Sequence, residues 1–144
     1  MTPRSPQRDE NGSVAVEIAL LAPALVLVLG LLVAGGRLWF ARTTVVEAAQ
    51  TSARAASLAR SPGEASATGA DAGRESMTTA GLRCASSSVR VSTAAFAVPV
   101  GTPATVTSDI TCSVPFGDVL LPGMPGSLQL SGRGSAALDT YRAR

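Results

Sequence analysis

Three regimes of apolar spacing divide the chain. From Ile18 to Gly36 no residue is charged, and apolar side chains occupy all faces of a helical turn instead of one stripe. At ~1.5 Å per residue a helix of this length spans about 28 Å, close to the hydrocarbon thickness of a bilayer, so the run predicts one membrane-spanning helix. Arg37 closes the run and Trp39 falls at the expected headgroup level, which gives a transmembrane segment of about 18–40. Pro23 removes one backbone donor within it and predicts a kink that a membrane helix tolerates. Gly30 with Ala34, and Ala15 with Ala19, are small residues four apart that permit close helix contact. Beyond Ala41 the spacing changes. Val45, Ala49, Ala53 and Ala56 form one helical stripe, with Glu47, Gln50, Arg54 and Arg60 among the polar positions. The helix is therefore expected to continue into water as far as Arg60, its alanine stripe covered by a more apolar partner.

Ser61-Pro62-Gly63 ends that pattern. Residues 64–82 are rich in alanine but interrupted by Gly69, Gly73 and Gly81, each costing up to ~1 kcal/mol in a helix interior. The prediction is a short helix over Asp71–Ala80 and a loop near Cys84. Period two comes next. Ala104, Val106, Ile110, Cys112, Val114 and Phe116 alternate with Thr105, Thr107, Asp109, Thr111 and Ser113. Leu128, Leu130, Ala136 and Leu138 alternate with Gln129, Ser131, Arg133 and Ser135, which sets Gly132 and Gly134 on the inner face, where a helix can lie close or a bulge can form. Val89 and Val91 begin an earlier strand whose parity shifts by Phe96, Val98 and Val100, as a bulge near Thr93–Ala95 would produce. Gly101-Thr102-Pro103 suits a hairpin turn. The fold class expected is α+β: a long N-terminal transmembrane helix continuing into a small head of a short second helix and a three-stranded antiparallel sheet. By segment this gives a polar leader (1–12), the helix (13–60), the head (61–140) and a polar tail (141–144), with fraying expected from Thr140. In the loop Gly117–Gly126, Val119, Leu120, Leu121 and Met124 either fold back over the sheet or form a contact patch for a partner.

Composition narrows the chemistry. The net charge is +2, and the 12 basic residues are all arginine and scattered, so no nucleic-acid stripe is present. Without histidine the usual general base and commonest metal ligand are missing, and without lysine there is no Schiff base or Ser-Lys nucleophile. Ser86-Ser87-Ser88 has no base beside it, and Asp71, Glu75 and Asp109 are not spaced as a calcium loop. No phosphate-binding loop occurs. The chain is expected to be no enzyme, to hold no metal or cofactor and to take no small-molecule substrate. Cys84 and Cys112 either pair, closing a loop of about 29 residues worth roughly 3.5 kcal/mol, or remain free thiols.

One residue at the membrane edge needs an account of its own. Glu17 sits one step before the uncharged run, with Gly12 five residues earlier and Pro23 six later. Alone, it marks the wet end of the helix. In its setting, Gly-Ser-Val-Ala-Val-Glu-Ile-Ala-Leu-Leu-Ala-Pro resembles the processing region of type IV pilin-like proteins, in particular the TadE-like pilus-assembly proteins, minor pilins or pseudopilins of tight-adherence systems. The Ala-rich segment from Val46 to Ala56 is similar to the one behind the membrane helix in that family. The resemblance implies a cut between Gly12 and Ser13, makes Glu17 the fifth residue of the mature chain, and matches Pro23 to the helix proline. It departs at Ser13, where major pilins often have phenylalanine, and at Ile18, where the small tight-adherence major pilins usually have tyrosine. Physically, a cut after Gly12 would free an α-amino group on Ser13, one helical turn from Glu17. Glu17 could neutralise that amine in its own or a neighbouring subunit. An unpaired charge in an apolar assembly costs several kcal/mol, so such a pair would set register.

The resemblance implies a non-catalytic, membrane-anchored minor pilin or pseudopilin of a tight-adherence pilus system. Its expected partners are a prepilin peptidase, other pilins and pilus-assembly proteins, and membrane lipid. The alternative is an unprocessed single-pass envelope protein whose extracytoplasmic head binds an unrelated partner. A cleaved secretory signal competes less well, because the apolar run is long and no small-residue cleavage site succeeds it. Arg37, Arg42, Arg54 and Arg60 would by counting alone place the head in the cytoplasm. The resemblance, together with a possible disulfide, places it outside a plasma (inner) membrane, free to enter a pilus.

Overall fold

The computed structural model describes residues 10–119, 123 and 125–141. Residues 1–9 of the expected leader lie outside these. The chain falls into two compact units, Met1–Gly35 and Gly36–Arg144. Helix α1 (Glu10–Leu58) supplies all of the first unit that is described and opens the second. In the first unit every side chain from Val16 to Val33 is exposed, with Leu20, Leu27 and Leu31 above 70%. The most apolar window of α1 has a mean hydropathy of 2.7 and none of it is buried, so the helix is long and apolar enough to cross a membrane. Pro23 lies inside it and does not end it.

The second unit is the α+β head. Helix α2 (Pro62–Thr79) is followed by strands β1 (Ser86–Ser92), β2 (Ala104–Pro115) and β3 (Ser127–Leu138), with a single-turn helix α3 (Phe116–Val119) after β2. The strands form one antiparallel sheet in the order β1-β2-β3. Val89, Ile110 and Gly132 share one rung, and Arg90, Asp109 and Arg133 the next. Period two holds along β2, where Val106, Ser108, Ile110, Cys112 and Val114 are buried, and along β3, where Leu130, Gly132, Gly134 and Leu138 are buried. The inner face packs on the α1 stripe: Val45, Ala48, Ala49, Ser52, Ala53 and Ala56 are at 0% exposure. Ile110, Cys112, Val114 and Met77 complete one core cluster, and Val106, Leu138, Ala65 and Ala95 another.

Helix α2 is longer than the expected Asp71–Ala80. Its start is well specified: Ser61 caps the Glu64 amide at 3.2 Å, Pro62 occupies the first turn, and the Glu64 carboxylate accepts from the Arg60 amide at 2.8 Å. Its end is a Schellman motif, with Gly81 at φ 75 and the amides of Leu82 and Gly81 donating to the carbonyls of Met77 and Thr78. Met77 is buried in the first core cluster and Leu82 packs against that cluster. Gly69 and Gly73 do not interrupt the helix, because they are its contact face. A Cβ on Gly69 would stand 2.9 Å from Val91 Cγ2 and 3.0 Å from Ala56 Cβ; on Gly73 it would stand 2.9 Å from Ile110 Cδ1. Close packing on α1 and the sheet outweighs the local propensity cost of ~1 kcal/mol per glycine.

One further expectation is corrected between β1 and β2. There is no bulged continuation through Val100: the strand stops at Ser92, and a 3-10 turn over Ala94–Ala97 buries Ala95 and half-buries Phe96 in the second cluster. The reversal is a β-turn over Pro99–Thr102 closed by Thr102 N donating to Pro99 O, with Gly101 at φ 94 in the position that needs it. The Thr140 carbonyl accepts from the Gly101 amide at 2.9 Å, and the Tyr141 amide donates to Asp139 at 3.1 Å. Residues 142–144 lie outside the described residues.

Candidate functional site

The N-terminal candidates are all carried by α1. Gly12 and Ser13 lie on its helical backbone within three residues of its first residue, Glu10. One turn further on, Glu17 is exposed, followed by the uninterrupted exposed apolar surface from Ile18. A new amine at Ser13 N would therefore be one helical turn from the Glu17 position, within reach of a carboxylate side chain. Ile18, Leu21, Ala22, Ala24, Leu25 and Val28 border a shallow apolar concavity on this helix.

In the head, Cys84 and Cys112 form a disulfide, with Cα atoms 5.4 Å apart. Cys112 is fully buried on the inner face of β2, and Cys84 lies in the α2–β1 connection. The bridge thus fastens that connection to the sheet's middle strand, and free thiols are excluded. It sits in the core cluster with Val45, Met77, Ile110, Val114 and Leu130, to which α1 also contributes Ala41, Ala48 and Ala49, residues that bury little area each.

Sequence reading missed one pair that matters to this packing. Ser52 of α1 and Ser108 of β2 are both at 0% exposure, and their hydroxyls hydrogen-bond at 2.8 Å. The signal was present: Ser52 falls on the alanine stripe, and Ser108 holds an inward parity position between Val106 and Ile110. On the outer face, Arg133 Nε donates to Asp109 at 2.6 Å. That hydrogen bond, and then the carboxylate's charge, hold the Arg133 guanidinium above its ordinary value. The rest of this face is mostly hydroxyls, among them Ser88 and Thr111 paired at 2.7 Å. Of the loop patch proposed from sequence, Leu120, Leu121 and Met124 lie outside the described residues, and Val119 ends α3. The loop's two ends meet where the Phe116 amide donates to the Gly126 carbonyl at 3.0 Å.

Two separable pieces result: an apolar, exposed helix with an acidic residue at its edge, and a disulfide-fastened head built on the same helix. Comparison with known families finds a match to the model described as TadE-like protein, over residues 12–54. No curated protein and no solved structure matches the chain.

Proposed function

Because residues 12–54 form a TadE-like segment, we propose that the chain serves tight-adherence pilus assembly as a membrane-anchored, non-catalytic minor pilin or pseudopilin. The observation that carries this reading is the coincidence of that match with an exposed apolar helix edged by Glu17. The helix holds the protein in the inner membrane until it enters or primes the assembly. The head stands outside the cytoplasm, a placement that agrees with its disulfide. A prepilin peptidase cuts between Gly12 and Ser13. The freed amine then pairs with Glu17 in the same or a neighbouring subunit, so that only one register of packing leaves no charge unpaired.

Mass spectrometry of the protein extracted from membranes tests the reading. A mature N-terminus at Ser13 is the expected result. An intact Met1 in a cell with active peptidase would instead make the chain an unprocessed single-pass envelope protein whose head binds another partner.

A further inference from the structure

Four exposed side chains crowd onto α1 just past the apolar run: Arg37, Trp39, Phe40 and Arg42. Trp39 is 72% exposed and Phe40 57%, yet Leu38 and Ala41, their immediate neighbours, pack into the head's first core cluster. At 3.6 residues per turn, Arg42, Trp39, Phe40 and Arg37 succeed one another around the helix at intervals of about 60–100°. Leu38, Ala41 and Val45 fill the remaining sector, against the head. Every direction the head leaves open at this level therefore carries an aromatic ring or a guanidinium.

Left in water, two bare rings forfeit ~1.5–3 kcal/mol each of possible burial. Along the axis, Arg37 to Arg42 rises about 7.5 Å. The polar layer on either side of a bilayer is about 5–7.5 Å deep. The charge pattern names the occupant. No carboxylate occurs between Ile18 and Val46, and among the described residues the ion pairs are Arg74–Asp71 and Arg133–Asp109, which leaves Arg37 and Arg42 to other anions.

We propose that these four residues form a lipid-headgroup collar. Arg37 and Arg42 donate to lipid phosphate oxygens, and Trp39 and Phe40 lie between the phosphates and the acyl chains. The collar sets the depth to which α1 enters the bilayer and holds the head at the membrane surface. It rests on the reading of α1 as a membrane anchor and adds to it a binding site for the lipid phosphodiester.

Trp39 is the chain's one tryptophan, so the test has a built-in probe. Full-length protein is incorporated into phosphatidylcholine vesicles with increasing phosphatidylglycerol, containing lipid brominated at either shallow or deep acyl positions. Shallow bromines should quench Trp39 more strongly than deep ones, and the preference should grow with phosphatidylglycerol in the wild type but not in R37Q/R42Q. Stronger quenching by deep bromines overturns the collar. So does blue-shifted emission that neither lipid quenches, which would assign Trp39 to a protein partner or a second copy. An unchanged phosphatidylglycerol response in R37Q/R42Q removes the arginines from the site. Alkaline carbonate extraction separates the two levels: release of the wild type overturns the anchor and the collar together, whereas retained protein with a misplaced Trp39 overturns the collar alone.

Discussion

Strand β3 passes closest to α1 at Gly132 and Gly134, and replacing either by alanine tests the packing that holds the head together. A Cβ on Gly132 would stand 2.7 Å from the Val45 carbonyl oxygen and 2.9 Å from Val46 Cα; on Gly134 it would collide with the Ala49 carbonyl. All of these are backbone atoms of a helix, which cannot rotate aside as a side chain would. Ordinary contact begins near 3.4 Å, so Gly132→Ala asks α1 to retreat by about 0.7 Å, and Gly134→Ala by more. Overpacking of this kind costs ~1–3 kcal/mol and occasionally more. Alanine returns ~0.5–1 kcal/mol through its smaller loss of backbone entropy. Gly132→Ala should therefore destabilise the head by about 1–2 kcal/mol and Gly134→Ala by about 3. The assay is hydrogen exchange of the β2 and β3 amides in full-length protein in micelles, where 2 kcal/mol reads as roughly thirtyfold faster exchange. Gly63→Ala is the control. It lies at the start of α2 with nothing within 4 Å of a new Cβ, and should be neutral or protective by up to ~1 kcal/mol. Wild-type exchange in Gly134→Ala would refute the close approach of helix and sheet.

Ser52→Ala strands the buried Ser108 hydroxyl, so it should cost ~1–3 kcal/mol, and the Ser52→Ala/Ser108→Ala double variant should cost less than the sum of the singles in a double-mutant cycle. Removing the Cys84–Cys112 bridge with the Cys84→Ser/Cys112→Ala pair should lower head stability by roughly 3.5 kcal/mol, read by the same exchange measurement, and increase proteolysis between α2 and β1. Glu17→Gln should leave carbonate-resistant membrane insertion intact while pilus assembly, counted on cells by electron microscopy, is lost. Normal appendages on cells bearing that variant would remove Glu17 from the register argument.

The pattern of the chain determined a good deal without help. An uncharged run from Ile18 to Gly36 already specified a helix long and apolar enough to cross a membrane, because length and the absence of charge on every face are read directly from consecutive residues. The stripe at Val45, Ala49, Ala53 and Ala56 and the parity of β2 and β3 named the buried faces correctly, down to Gly132 and Gly134, since alternation is a property of the backbone itself. The segment around Glu17 carried its family likeness in consecutive residues. The rest was decided by distance between elements remote in sequence. Gly69 and Gly73 read as helix breakers because propensity is local; only the 2.9 Å approaches to Val91 and Ile110 turn them into a docking face. Ser52 and Ser108 are ordinary polar residues singly, and become a buried pair only when α1 crosses β2. Two cysteines could bridge or stay apart until the α2–β1 connection and β2 brought their Cα atoms to 5.4 Å. Periodicity tells each element which side to bury. Which partner it meets there, and how closely, depends on the whole head closing at once.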